Sequence, residues 1–210
     1  MSDWADDAEQ RVLDAAVLLA GEMGWNASLV ERAGRRAGFS LAETELLLPH
    51  GARDLAALLS RRHDATAMTA LSAVDPATLK IRERISQGVQ TRLDAAFADE
   101  PALRRWAGFL ALPSNLPLAL RLVWESADGL WRWAGDTATD ENHYSKRAIL
   151  SGILISTLAQ RLTRGQAAAA EELAARIDNV MAFEKWKAGK KGPIAYATEM
   201  AVALGKLRYR

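Results

Sequence analysis

The chain of 210 residues contains no cysteine. Disulfides, thiolate-bound zinc, iron–sulfur clusters and thiol catalysis are therefore excluded. Histidine is scarce, and His50, His63 and His143 lie far apart in sequence. No glycine-rich phosphate loop, nucleophile elbow or HExxH motif occurs, so the usual signatures of nucleotide binding, serine hydrolysis and zinc proteolysis are missing. No apolar run approaches the ~20 residues of a membrane-spanning helix. The opening MSDWADDAEQ is acidic and lacks the basic and apolar regions of a secretory signal, which makes a cytoplasmic location the expectation. Alternating strand patterns are absent as well.

What is present is helical periodicity along nearly the whole chain, which predicts an all-α fold. Half the residues are apolar and a quarter charged, as in ordinary globular proteins. The formal charge of +1 conceals an asymmetry. Residues 184–210 hold Lys185, Lys187, Lys190, Lys191, Lys206, Arg208 and Arg210 against only Glu184 and Glu199. The body is consequently acidic and a poor match to nucleic acid, whereas the tail suits an anionic lipid surface.

Val12, Leu13, Ala16, Leu19 and Ala20 form the inner stripe of a first helix that ends near Gly24. Short helices follow around Ser28 to Ala37 and from Ser40, separated by a turn at Gly38, and a fourth helix begins near Arg53 with Leu55, Leu58 and Leu59 inward. This order predicts a helix-turn-helix unit over residues 1–60. A helical ligand-binding region is expected over 61–188. Pro76 and Pro101 start helices over 76–97 and 101–111, and Asn115 caps the next one. Helices near 140–163 and 167–188 complete the bundle. Gly189, Gly192 and Pro193 form a hinge before a terminal amphipathic helix.

The most specific stretch runs from Leu112 to Ala148. Leu120, Val123, Trp124, Ala127, Leu130, Trp131 and Ala134 recur at three- and four-residue steps, giving one wide aromatic face. Gly135 suits a helix stop, and Thr139 or Asp140 suits the cap of the next helix. The motifs LPSN (Leu112 to Asn115), W.WAGD (Trp131 to Asp136), TD.N.Y (Thr139 to Tyr144) and KRA (Lys146 to Ala148) resemble the Coq-nine family of ubiquinone-biosynthesis accessory proteins. The likeness extends from about residue 9 to about residue 188. Family members often carry tryptophan before the tyrosine, where this chain has His143.

The resemblance implies a TetR-like fold, a homodimer and a lipid enclosed between the C-terminal helices. Leu120, Val123, Trp124, Leu130, Trp131, Ile149, Ile153, Leu154, Leu158, Ile177 and Met181 supply apolar volume for that purpose. They would serve equally well as a filled core. The resemblance further implies a surface patch that docks a di-iron hydroxylase, the demethoxyubiquinone hydroxylase. Asp140, Asn142, His143, Tyr144 and Arg147 are its candidates, with Tyr144 and Arg147 one turn apart at an exposed helix start. A capped helix start with an ordinary exposed Tyr and Arg is the alternative. On a terminal helix, Ile194, Met200, Leu204 and Leu207 share an apolar face, with Lys206 and Arg210 on the other, as in an interfacial membrane helix. Packing against a second subunit would use the same face.

Asp136, Asp140 and His143 are the carboxylates and imidazole closest in sequence. A helix break separates the two aspartates, and capping accounts for them. No catalytic residue, metal or cofactor is therefore assigned. The expected function is that of a non-enzymatic accessory protein which binds an isoprenoid quinone precursor and presents it to the hydroxylase. Its expected place is the inner face of a bacterial membrane, or the matrix side in a eukaryote. Two other functions are compatible with the sequence. A TetR-type repressor with an apolar ligand would anchor DNA through Arg32, Arg35 and Arg36, although its recognition helix, Ser40 to Leu48, carries Glu43 and Glu45 and no basic residue. A metal-free lipid enzyme would depend on Asp136, Asp140 or His143.

Overall fold

A computed structural model describes residues 4–137 and 141–189, excepting the side chains of 141–142 and 181–189. The described residues form nine α-helices and no strand: α1 (Trp4–Met23), α2 (Ala27–Arg36), α3 (Leu41–Leu47), α4 (Ala52–Leu71), α5 (Ile81–Phe97), α6 (Glu100–Leu110), α7 (Leu116–Trp133), α8 (Glu141–Arg164) and α9 (Gln166–Gly189). The architecture is an all-α bundle of the TetR type.

Local chemistry sets the helix ends. Asn26 accepts a hydrogen bond from the Leu29 amide at the start of α2. Ser40 and Glu43 form a reciprocal capping box at α3, which satisfies amides that the helix itself leaves unpaired. Gly38 joins the two at φ +89°, a backbone conformation that side chains disfavour. Gly34 brings α2 against α3, because a Cβ there would stand 2.1 Å from Thr44 Oγ1.

Two apolar cores divide the bundle. The first joins α1, α2, α4 and α6, with Leu13, Leu29, Leu55, Leu59 and Leu103 at its centre and Leu122 of α7 against them. The second joins α5, α7, α8 and α9 through Val89, Leu130, Leu150, Leu173 and Ile177, and receives Leu71 from the far end of α4. α4 therefore belongs to both, and the expected boundary at residue 60 falls within it. Each buried leucine contributes about 1.5–3 kcal/mol of apolar burial. Four indoles tie helices together through backbone carbonyls: Trp25 donates to Ala102, Trp106 to Ala56, Trp131 to Lys146 and Trp133 to Leu71.

Two local expectations need correction. Residues 76–97 are not one helix. Asp75 caps a single 3-10 turn over Pro76–Thr78, and the extended backbone at Leu79 and Lys80 interrupts the chain before α5. Asn115 occupies the position before α7 without capping it. Its amide instead donates to the Phe109 carbonyl while its oxygen accepts from Arg53 Nε, which pins α4 to the turn. The hinge at Gly192 and Pro193 and the helix expected over 194–210 lie outside the described residues.

Candidate functional site

A cavity of about 390 Å³ lies among α5, α6, α7 and α8. It falls in the size range of small-molecule sites, roughly 300–1,000 Å³. Leu93 and Ala96 of α5, Leu103, Trp106 and Leu110 of α6, and Leu154 of α8 form buried walls. Leu116 and Leu120 of α7 and Ile155 of α8 line it too, yet stand largely in solvent, so they form an apolar rim at its mouth.

Of the residues proposed from sequence, Leu120, Val123, Leu154 and Leu158 line the cavity. Leu130, Ile153 and Ile177 are packed in the second core. Trp131 is fixed against α8 by its indole bond to Lys146. Trp124 lies outside the lining and beside Tyr144, with ring centroids 6.3 Å apart. Ile149 is 38% exposed, because it lies one residue before the buried Leu150 and so about 100° around α8 from it. The side chain of Met181 is outside the described residues. The apolar face of α7 is thus shared: one edge walls the cavity and the other fills a core.

Trp106 was not foreseen, and neither were three polar members of the wall, Ser60, Arg92 and Ser126. Arg92 was detectable in principle. It follows Val89 by three residues on the buried stripe that continues through Leu93 and Ala96, a place where an arginine must have partners. Those partners are Asp64, which accepts from Nε, and Ser60, whose carbonyl and hydroxyl oxygens each lie 3.3 Å from Nη2. The Ser126 hydroxyl donates to the same Asp64 oxygen at 2.7 Å. One turn away His63 is buried with Nε2 2.9 Å from Asp99 Oδ2. Burial and the neighbouring Arg92 charge push its pKa down to about 4, against the pull of Asp99, so the ring is neutral near pH 7.

The elbow between α7 and α8 differs from expectation at one decisive residue. Arg147 is not exposed: it is 2% accessible, and it bonds Asp128 at 2.6 Å, Asp136 at 3.1 Å and the His143 carbonyl at 3.1 Å. Helical phase places it on the side of α8 that meets α7, where two carboxylates balance its charge. Lys146 bonds the other oxygen of Asp136 at 2.6 Å and lies 5.4 Å from the Trp131 ring centroid. Burial alone would raise the Asp136 pKa, but the bonds from Lys146 and Arg147 outweigh it and hold the carboxyl below its ordinary range. Asp136 is therefore an ion-pair anchor, committed to two cations.

Tyr144 remains on the surface at 65% exposure, with the His143 ring edge-on to it at 5.2 Å. Asp140, the Asn142 side chain and the terminal positions Ile194, Met200, Leu204, Lys206, Leu207 and Arg210 lie outside the described residues. Among the described residues no group of three His, Asp or Glu side chains is placed to hold a metal ion. None of the described helices is by itself long and apolar enough to cross a membrane.

Residues 116–184, which cover α7, α8 and most of α9, match the COQ9 family. Among curated proteins, the chain is 27% identical over 166 residues to ubiquinone biosynthesis protein COQ9-B, mitochondrial, of Xenopus laevis, covering 72% of this chain and 54% of that protein. It is 28% identical over 163 residues to the Rattus norvegicus COQ9 protein, covering 72% and 51%, and 24% identical over 163 residues to that of Homo sapiens, covering 72% and 50%. The chain spans about half the length of these relatives. The matched region contains the α8 wall of the cavity, its rim and the elbow, so the chain is similar to the COQ9 family over the part that bears the candidate site.

Proposed function

We propose that the chain is a lipid-binding accessory protein of ubiquinone biosynthesis that holds an isoprenoid quinone precursor and gives a membrane-associated demethoxyubiquinone hydroxylase access to it. The cavity carries this reading: its walls are apolar, and its mouth is ringed by exposed Leu116, Leu120 and Ile155. Each buried methylene contributes ~0.8 kcal/mol, so a few isoprene units out of water offset most of the cost of leaving a bilayer. The bond-making step belongs to the hydroxylase. A peripheral position on the membrane, as a homodimer, agrees with the apolar rim and the basic charge of residues 184–210.

The relatives' names place them in ubiquinone biosynthesis, and the shared α7–α9 region supports the same pathway here. Exposed Tyr144, braced by Trp124 and His143, is the aromatic anchor best placed to meet the hydroxylase. Mass spectrometry of organic extracts from gently purified protein, beside a mock purification, tests the central point. Enrichment of a polyprenylated quinone or its precursor is the expected result, and no lipid above the mock would defeat the preloaded carrier. With lipid confirmed, Tyr144→Ala should weaken hydroxylase capture at least about tenfold without altering the melting temperature.

A further inference from the structure

We infer that Arg92 and Ser60 form a head-group site at the closed end of the cavity, built for an amphiphile whose head presents a neutral oxygen acceptor such as a ring carbonyl. The inference rests on the lipid-binding reading above and adds what the cavity recognises and which way round the ligand lies.

Arg92 is 8% exposed and lines the cavity. Its Nε and Nη2 are spent on Asp64 and Ser60, while Nη1 has no protein partner among the described residues. The Ser60 hydroxyl accepts from Arg92 and donates to none of the described residues, so its proton is also available. Both residues line a cavity whose other walls are almost wholly apolar. The buried side-chain atoms without a partner among the described residues are Ser151 Oγ, Thr157 Oγ1 and Gln160 Oε1, so Nη1 keeps contact with solvent and an incoming oxygen would take the place of water there.

Charge decides the class of oxygen. Asp64 already balances Arg92 and also accepts from Ser126, so the cluster is neutral as a whole. The neighbouring Arg62 is paired with Asp14 and Asp99. A carboxylate or phosphate head would bring an uncompensated charge into a low-dielectric cavity within reach of Asp64. A quinone or phenol ring brings only acceptors. Ser60 and Arg92 are buried, whereas Leu116, Leu120 and Ile155 are exposed, so the ring goes in first and the tail leaves over the rim.

The test uses the delipidated full chain and three probes: a decyl-substituted dimethoxybenzoquinone, dodecylbenzene, which has a tail but no oxygen, and myristate. Retention after gel filtration over a concentration series gives each Kd. The paired variant Arg92→Gln, Asp64→Asn removes both charges and leaves a polar side chain at each position. We expect it to weaken the quinone at least about tenfold, equivalent to ~1.4 kcal/mol, and to leave dodecylbenzene within about twofold. Ser60→Ala should weaken the quinone about threefold and keeps the test informative if the paired variant fails to fold. An equal effect on quinone and dodecylbenzene, or no effect on either, overturns the head-group site while the lipid cavity stands. Myristate binding the wild type more tightly than the quinone overturns the neutral-head class. Binding of none of the three overturns the lipid reading itself.

Discussion

Arg147 shows how a residue can be right as a landmark and different in role. Two carboxylates, one of them 5% exposed, face its guanidinium, so removal of the cation strands both in a poorly solvated site. Arg147→Met should lower stability by about 3–5 kcal/mol in urea denaturation. A cost under about 1 kcal/mol would mean that the elbow is solvated. His63 gives a second residue-scale expectation. Its folded pKa lies below the ordinary 6.5, so between pH 6.5 and 4 the unfolded chain binds the extra proton. Stability is thus complete above about pH 6.5 and falls as pH drops toward 4, by on the order of 3 kcal/mol in total. Asp136 also stabilises the fold less in acid, but only below its ordinary value of 3.8. The two groups therefore act in separate pH windows. Denaturation midpoints at pH 7 and 4.5 should differ clearly in the wild type and much less in His63→Asn; an equal difference in both would show that His63 is not the titrating group.

At the level of elements, the contact between α2 and α3 depends on the missing side chain of Gly34. Gly34→Ala forces Cβ into Thr44 and should cost about 1–3 kcal/mol, with Tm falling roughly 2–4 °C per kcal/mol. An unchanged Tm would contradict the close approach. The same helix pair bears on nucleic acid. Glu43 is held in the α3 cap, Arg35 is paired with Glu31 at 3.2 Å, and Leu41 and Leu46 are exposed where a repressor needs donors. Duplex DNA in 50 mM salt should therefore bind more weakly than the 10⁻⁴–10⁻⁶ M typical of non-specific DNA-binding proteins, as read by fluorescence anisotropy. Tight, steeply salt-dependent binding would restore the repressor reading.

Across the whole molecule, the cavity lies where the two cores meet, with Leu103, Trp106 and Leu110 of the first and Leu93 and Leu154 of the second in its wall. Leu120 is 61% exposed at the cavity rim, so Leu120→Glu should alter stability by less than about 0.5 kcal/mol and yet sharply reduce uptake of the decylquinone. Parallel loss of stability and uptake would instead make Leu120 a core residue. The cavity opens between α7 and α8, the elements that also carry the exposed Tyr144 and the buried ion pairs. Ion pairing of Arg147 with Asp128 and Asp136 ties α8 to α7 and to the chain that follows it.

The sequence by itself determined the helical class, the order of the helices, the glycine stops and the helix start at Ser40, because each depends on residues within a few turns of one another. It also placed Leu120, Val123, Leu154 and Leu158 on apolar helix faces. Only the tertiary structure decided which apolar face encloses space and which is filled, since periodicity reports burial and is silent about the volume left between helices. It alone brought Arg92 of α5 to Asp64 and Ser60 of α4, and Arg147 of α8 to Asp128 of α7. Such pairings satisfy buried charge across helices distant in sequence, and spacing along one helix cannot reveal its partner on another.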